Sequence, residues 1–307
     1  MAEREVSFTI ATGLKGVGKS YSTFFKVLLP YSLGLLNNGV ARKVLIIDVN
    51  DEYGVMKPSP HDEYAMALTK GKPVVVNPLE PKDIKLFTWQ RNIEIRRIRP
   101  YHYRNYYDEK NKLQRRAGEA MGEKELLKLV TKCLSDFRGG MLLIEDLATT
   151  VGTHVPGKIF SEITRNRHRD NDIITHIQSI GAILPKFWQN INYCRFHKQL
   201  DDVDRSEEKL QGLYALYKIS QIMVDYQYER GNNRYFLYCD NMNRKIRGDY
   251  GKEQLMDAIY RYIDYSGNIL RPLLYQRTET GHKVRNYSEA REEKALELYR
   301  EYSALRD

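Results

Sequence analysis

Gly13-Leu14-Lys15-Gly16-Val17-Gly18-Lys19-Ser20 follows the pattern G-x-x-x-x-G-K-S of a complete phosphate-binding loop. An apolar run, residues 6–11, precedes it, and a helix-compatible stretch, residues 21–29, follows it. The pattern works only between a strand and a helix N-terminus. There the glycines let successive N–H groups face phosphates, and the helix end adds partial positive charge. The flanks therefore predict a strand, loop and helix that bind ATP or GTP.

Each position of the loop has an expected contact with the nucleotide. Lys19 would reach the β- and γ-phosphates, and the Ser20 hydroxyl would ligate Mg²⁺. The backbone around them would surround the phosphates. The residues predicted to bind nucleotide are Gly13, Lys15, Gly16, Val17, Gly18, Lys19, Ser20 and Tyr21.

Composition narrows the class of protein. Of 307 residues, 29% are charged and 42% hydrophobic, which is typical of a globular chain and not of a disordered one. No apolar run reaches the ~18 residues that a spanning helix needs, and the first apolar segment reads as a core strand instead of a signal peptide. The three cysteines lie far apart, which indicates neither a zinc site nor disulfides and fits the cytoplasm.

The basic residues are unevenly distributed. The net charge is +9, and residues 91–116 contain nine Lys or Arg against three acids, with five Tyr or His residues interleaved. Arg, Lys and Tyr together suit a phosphate track with stacking contacts, so this insertion predicts DNA binding. The alternatives are a solvated surface insertion or an oligomer contact. The candidate DNA contacts are Arg96, Arg97, Arg99 and Arg104.

Apolar strand patterns alternate with helix patterns over most of the chain, which predicts an α/β fold with a mostly parallel sheet flanked by helices. The predicted strands are 6–11, 44–48, 74–77, 93–98, 141–145, 173–177 and 193–197. The predicted helices are 19–37, 119–137, 157–167, 180–190 and 205–222.

The pattern changes near residue 224. Residues 224–229 and 234–239 alternate polar and apolar side chains around Arg230-Gly231-Asn232-Asn233, which predicts a C-terminal β-hairpin. A helix is expected over 254–265 and a highly charged helical tail over 288–305, either solvated or docked on a partner. We therefore divide the chain into an ATPase core, 1–240, and a helical appendage, 241–307.

A second motif suits hydrolysis. Met141-Leu142-Leu143-Ile144-Glu145-Asp146 is an apolar strand that ends in two carboxylates, which could hold the Mg²⁺ shell and polarise the attacking water. We assign Glu145 to the metal and Asp146 to the water, although the usual order is Asp then Glu. The alternative is an acid pair that caps the following helix.

The strand 173–177 ends at a polar amide, Gln178, which could hydrogen-bond the γ-phosphate or the lytic water; a structural loop glutamine is the alternative reading. His176 and His168 have no second His or Cys at ligand spacing. A core histidine with a hydrogen-bond partner is the expected role for His176.

The order of motifs resembles the FtsK/HerA superfamily of translocating ATPases. Beyond the loop, the resemblance lies in Val44-Leu45-Ile46-Ile47-Asp48-Val49-Asn50-Asp51-Glu52-Tyr53, in residues 167–172 running into Gln178, and in residues 190–196 followed by Asp201 and Asp204. It covers residues 5–205. It implies a RecA-like fold, ATP and Mg²⁺ as cofactors, and a ring, pentameric or hexameric, in which an arginine completes the neighbour's site. Arg167 is the first candidate and Arg195 the second, with Arg165 and Arg169 also open.

Because the phosphate-binding loop starts at residue 13 and no spanning segment is predicted, we expect neither the N-terminal barrel of HerA nor the membrane segment of FtsK. Such a small motor core resembles viral genome-packaging ATPases. The resemblance thus implies an ATP-hydrolysing motor that moves DNA, with double-stranded DNA as the expected substrate, in the host cytoplasm or the virion. It also leaves the C-terminal tail for binding a capsid or membrane protein. The main alternative is a morphogenesis ATPase that acts on protein. A partitioning ATPase, suggested by Lys15, fits less well because that lysine lies one position later than in their loop.

Overall fold

The computed structural model describes residues 6–36, 38–107, 113–146, 157–210, 212–277, 279–280 and 282–305, with side chains for all of these except 103–107, 113–117 and 167. The chain forms two compact units, Met1–Thr9 with Gly18–Ile177 and Ile10–Val17 with Gln178–Asp307. The division of the chain at residue 240 into core and appendage stays a prediction.

The first unit contains most of the sheet. Its strands are β1 (Phe8–Thr12), which continues into the second unit, β2 (Lys43–Ile47), β3 (Val55–Met56), β4 (Val74–Val75), β5 (Asn77–Pro78), β6 (Ile95–Ile98), β7 (Tyr101–Tyr107), β8 (Leu113–Ala120), β9 (Gly140–Ile144) and β10 (Asp172–Ile177). The strand order is β1-β10-β9-β2-β6-β5. The pairs β10/β9, β9/β2, β2/β6 and β6/β5 are parallel.

The sequence of these strands explains their position. Every residue of β2, β9 and β10 is buried, as expected of parallel strands covered on both faces. Around them lie α1 (Lys19–Thr23), a π-helical turn (Phe24–Leu28), α2 (Leu29–Ser32), α3 (Glu63–Thr69), α4 (Ile84–Trp89), α5 (Glu123–Asp136) and α6 (Gly157–Thr164). Phe24, Phe25 and Tyr31 pack with Val44 of β2 and Leu143 of β9 in one core cluster.

The first predicted helix is shorter than expected and is interrupted. In place of a helix over 19–37, helical structure ends at Ser32 and includes the π-helical turn Phe24–Leu28. Pro30 has no N–H to donate to the carbonyl one turn back, which accounts for an irregular hydrogen-bond ladder at this position.

The second unit holds β11 (Tyr193–Phe196), β12 (Leu237–Asp240) and β13 (Lys245–Arg247), in the order β13-β12-β11-β1. Counted over the described residues, the main sheet has nine strands. β11/β12 and β12/β13 are antiparallel. Its helices are α7 (Pro185–Trp188), α8 (Glu207–Leu210), α9 (Tyr214–Glu229), α10 (Lys252–Ser266), α11 (Arg271–Leu274) and α12 (Tyr287–Tyr302).

Two predictions in this unit were wrong. Residues 224–229 continue helix α9 and do not form a strand, and the helix stops before Gly231, whose φ of 86° suits a left-handed end. The antiparallel pair is β12/β13 instead. The helix expected over 180–190 is reduced to a 3₁₀ turn, Ile180–Ala182, and the short α7, because Pro185 fits the first turn of a helix but not its interior.

The predicted fold class is confirmed: a mostly parallel sheet with flanking helices, and a phosphate-binding loop between β1 and α1, form a RecA-like P-loop NTPase fold. The basic insertion contains an antiparallel ribbon, β7/β8, and residues 108–112 between its strands lie outside the described residues. Within the described parts of the chain, no helix is both long and apolar enough to span a bilayer.

Candidate nucleotide-binding site

The phosphate-binding loop has the backbone that its glycines predict. Gly16 and Gly18 have φ values of 87° and 78°, a region that residues with a Cβ rarely adopt. Gly18 is also the residue before α1, so the first N–H groups of that helix follow it directly. Lys15 and Gly16 are exposed, whereas Val17 is buried.

The start of the loop is held by residues that follow β11 in the second unit. The Thr12 carbonyl accepts from the His197 N–H at 3.0 Å, and the Leu14 N–H donates to the Lys198 carbonyl at 2.8 Å. A Cβ on Gly13 would lie 2.6 Å from the His197 Cβ, so a side chain at residue 13 would collide with this support.

In the first unit the carboxylates predicted for hydrolysis lie close together. The Asn50 N–H donates to Glu145 Oε2 at 3.2 Å, and the Asn50 side-chain amide donates to Asp146 Oδ2 at 3.1 Å. The Ser20 hydroxyl donates to Glu52. The segment after β2 therefore connects the helix of the phosphate loop with the acids after β9.

The sequence reading did not assign a role to Glu52 or Asn50. The Asp48 side chain, fully buried, accepts from the Glu52 N–H at 2.8 Å and from the Tyr53 N–H at 3.2 Å, which folds the chain back after β2. The signal in the sequence was the run Asp48-Val49-Asn50-Asp51-Glu52, in which polar residues follow a buried strand at the carboxyl edge of a parallel sheet.

Burial sets the electrostatics of this acidic cluster. Glu145 is 2% exposed, and burial raises the pKa of its carboxyl to about 8, against the lowering effect of the Asn50 N–H. The negative charges of Glu52, Asp48 and Asp146 raise that pKa further. Such a cluster favours a cation, since a positive charge offsets the repulsion among the carboxylates.

The side chains of this site could supply only some of the ligands that a magnesium ion needs. Among the described residues, no group of three or more His, Cys, Asp or Glu could hold a metal ion. Mg²⁺ in phosphoryl-transfer sites uses one or two protein ligands, with phosphates and waters as the others. The Ser20 hydroxyl, with Glu52 bonded to it and Glu145 in the same acidic cluster, suits that smaller role.

The other predicted catalytic residues have distinct settings. Gln178 directly follows β10 and is exposed. Arg195 is 1% exposed, with its guanidinium 5.4 Å from the centroid of the Phe236 ring, a position that favours an interior role over a reach towards another subunit. Arg167 lies in the 3₁₀ turn Asn166–Arg169, and its side chain falls outside the described residues. These assignments stay predictions.

Two neighbouring arginines and one histidine have partners in the first unit. Arg169 pairs with Glu162, and the more exposed Arg165 lies 3.7 Å from the same carboxylate. His176 is buried, and its Nε2 lies 2.8 Å from Thr23 Oγ1. His176 is therefore a core histidine with a hydrogen-bond partner, as expected.

The described candidate DNA contacts are engaged in ion pairs. Arg97 NH1 lies 2.7 Å from Asp48 Oδ2 and also contacts Asp51. Arg99 NH2 lies 2.7 Å from Asp51 Oδ2, and Arg96 Nε lies 2.8 Å from Glu94. Arg104 lies in β7, and its side chain is not described. A role for these four residues in DNA binding stays a prediction.

The loop, the sheet and the acids after β2 and β9 place the chain in the P-loop NTPase fold class. No family model and no curated protein matches the sequence. Among solved structures, the genome-packaging NTPase B204 of Sulfolobus turreted icosahedral virus 2 with ATP-γS matches at 14% identity and TM-score 0.43, over 79% of this chain and 95% of that one.

Two further structures are similar. The DNA-packaging ATPase B204 of Sulfolobus turreted icosahedral virus matches at 15% identity and TM-score 0.43, over 78% of this chain and 95% of that one. The N-terminal domain of zonular occludens toxin from Neisseria meningitidis matches at 14% identity and TM-score 0.28, over 62% and 76%. Viral packaging ATPases, the class that the motif order resembles, are thus among the similar structures.

Proposed function

We propose that this chain is an ATP-hydrolysing motor that moves DNA as an oligomeric ring, of the kind that packages viral genomes. The observation that carries the ATPase part is the contact between the Ser20 hydroxyl and Glu52. It joins the phosphate-binding loop to a group of carboxylates at the edge of the sheet. A nucleotide held by the loop would therefore have its terminal phosphate near groups able to accept a proton from water.

The residues divide the chemistry among them. Lys19 and the N–H groups after Gly18 would bind the phosphates, while Ser20 and Glu145 would hold the metal ion. Bound Mg²⁺ would neutralise charge that develops on the transferred phosphoryl group. Asp146 and Glu52 are the two candidates to orient the attacking water, and Gln178 and Arg167 are proposed to contact the γ-phosphate, Arg167 from a neighbouring subunit.

The DNA part of the proposal rests on the basic insertion. Residues 101–107 and 113–120 form a two-stranded antiparallel ribbon, and this segment carries Arg104, Arg115 and Arg116. A two-stranded ribbon with basic side chains fits a duplex groove or the lining of a ring pore. Duplex DNA is therefore the proposed substrate.

The test is the steady-state ATPase rate with and without double-stranded DNA across a salt series. We expect stimulation that declines as salt rises, because phosphate contacts dominate such binding. Replacing Arg104, Arg115 and Arg116 together with Gln should lower DNA affinity and reduce its salt dependence by about one unit of slope per lost phosphate contact. A matched control replaces Lys124, Lys128 and Lys132 of α5 with Gln. An ATPase that ignores DNA would contradict this proposal.

The ion pairs of the arginines before the β7/β8 ribbon favour the second candidate, an ATPase that acts on protein during assembly. Arg96, Arg97 and Arg99 are all paired with acids of the same unit, so their charges are partly neutralised before any DNA binds. Hydrolysis that is indifferent to DNA, together with binding of a capsid or membrane protein by α12, would favour this candidate.

A further inference from the structure

Asp51 lies between two arginines: Arg97 in β6, the strand beside β2, and Arg99 just after that strand. One carboxylate oxygen lies 2.7 Å from Arg99 NH2, and the other contacts Arg97 NH1. Arg97 continues to Asp48, at 2.7 Å. The Arg97 and Arg99 side chains are 12% and 24% exposed and the Asp51 side chain is 40% exposed, so the arginine side of these pairs is the more shielded from water.

The backbone around this cluster is shaped to accommodate it. A Cβ on Gly54 would lie 2.7 Å from the Arg97 guanidinium, so a side chain at residue 54 would displace that guanidinium from its present position. Asp51 has φ 59°, a left-handed conformation that Asp tolerates better than most residues but still at some cost. Burial would lower the pKa of Arg97, yet its hydrogen bonds to Asp48 and Asp51 raise it, so the ion pairs outweigh burial.

These contacts bear directly on Glu52. Its N–H is held by Asp48 on one side, and Asp51, the residue before it, is held by the two arginines. Its side chain accepts from the Ser20 hydroxyl. The backbone that carries this carboxylate is therefore fixed from β6, while the carboxylate itself lies at the phosphate-binding loop.

We propose that Asp51 is a positioning residue for ATP hydrolysis: clamped by Arg97 and Arg99, it fixes Glu52 beside Ser20. The inference rests on the proposed ATPase activity and does not require DNA. Arg99 also lies with its guanidinium 5.0 Å from the ring centroid of Tyr101, the first residue of β7, so the clamp is built on the strand that leads into the basic ribbon.

The experiment compares turnover of full-length variants in the absence of DNA. Asp51→Asn removes the charge but keeps the residue type that tolerates positive φ, and Arg99→Gln removes the partner. Asp170→Asn and Arg42→Gln are matched controls, because Asp170 also has positive φ, at 54°, and forms an ion pair with Arg42 in the same unit. Arg99→Lys tests rescue, since one contact with Asp51 needs only one positive donor.

We expect kcat to fall at least ~3-fold in Asp51→Asn and Arg99→Gln, with the KM for ATP unchanged, because such couplings are worth a few fold to about thirtyfold. Arg99→Lys should retain most of the wild-type kcat, and both controls should stay within about twofold of it. Wild-type kcat in Asp51→Asn would overturn the inference, as would equal losses in the clamp and control variants.

The same assays separate this inference from the proposed function. A wild-type protein that hydrolyses ATP without any response to duplex DNA would contradict the DNA motor. The role of Asp51 would still be tested by comparing the kcat of the Asp51 and Arg99 variants with that of the wild type. A protein with DNA-stimulated hydrolysis and an intact rate in Asp51→Asn would uphold the motor and remove the clamp.

Discussion

Glu145 shows at the residue scale how a carboxyl buried among other acids makes the stability of the nucleotide-free protein depend on pH. Its carboxyl is buried among acids, and its pKa is raised to about 8, first by burial. The unfolded chain releases this proton near pH 4, whereas the folded chain retains it up to about pH 8. The unfolded state thus binds fewer protons between these values, and folding stability falls as pH rises through them.

Glu145→Gln should therefore stabilise the nucleotide-free protein increasingly as pH rises from 5 to 9. We expect the Tm difference to be small at pH 5 and about 2 °C or more at pH 9, since ~1 kcal/mol shifts Tm by that amount in proteins of this size. Hydrolysis should be lost in the same variant. The measurement is thermal unfolding across the pH range, with Glu80→Gln, a partly exposed acid paired with Lys82, as control. A Tm difference that does not grow with pH would contradict the raised pKa.

At the scale of elements, the end of β11 supports the phosphate-binding loop through one buried amide. Gln199 Nε2 donates to Thr12 Oγ1 at 2.9 Å and to the His197 carbonyl at 2.8 Å, and its Oε1 accepts from the Ile180 N–H at 3.0 Å. The side chain therefore joins the residue before the loop to the segment after Gln178. Each of these polar groups is buried, so loss of the Gln199 hydrogen bonds would leave them less well satisfied in the interior.

Gln199→Leu keeps similar volume but removes all three hydrogen bonds. We expect a loss of about 1–3 kcal/mol in the free energy of unfolding and a weaker affinity for an ATP analogue, because the support at Thr12 is lost. Both follow from denaturant unfolding and an analogue titration, with the exposed Gln189→Leu of the same unit as control. Unchanged analogue affinity in Gln199→Leu would show that the loop does not depend on this support.

The sequence predicted the elements whose signals are local and missed those set by packing or by a single residue. The phosphate-binding loop and strands β2, β9 and β10 carry continuous apolar runs beside glycines or acids, so their type and position followed directly. Residues 224–229 alternate Val, Tyr and polar side chains over too few positions to separate a strand from the end of α9. Gly231, just after this segment, is a residue type that commonly ends a helix and indicates the helical alternative.

The candidate site was predictable to the same extent. Glu145 and Asp146 end a buried strand, which the sequence displays, but the Ser20–Glu52 contact joins residues 32 positions apart and depends on the turn that Asp48 organises. The ion pairs of Arg97 and Arg99 were likewise hidden, because composition alone does not show which acids face a basic cluster. The charge excess predicted DNA binding, which stays a prediction, and the structure adds that part of this charge forms ion pairs within the same unit.

For the whole molecule, the proposal requires that neighbouring subunits share each site. If each site combines the phosphate-binding loop of one subunit with an arginine of its neighbour, a variant that lacks either residue should be inactive by itself. A mixture of the two variants should be active. Lys19→Ala removes the ammonium group that would contact the phosphates but keeps Arg167. Arg167→Ala removes the arginine but keeps an intact phosphate-binding loop. Each variant by itself should hydrolyse no ATP, while Arg167→Ala should still bind an ATP analogue, since its own loop is intact.

Mixing the two variants in equal amounts under conditions of subunit exchange should restore activity. A productive site needs an Arg167→Ala subunit beside a Lys19→Ala subunit, so about a quarter of the wild-type rate is expected for random assembly. As a control, Arg165→Ala is mixed with Lys19→Ala in parallel. Arg165 lies two residues before Arg167, and its side chain is exposed. Only a residue that acts across the interface can be complemented by a neighbouring subunit. Arg167 is therefore contradicted as the shared arginine if its mixture regains no ATPase activity despite proven subunit exchange. It is contradicted equally if activity is regained only in the Arg165 mixture.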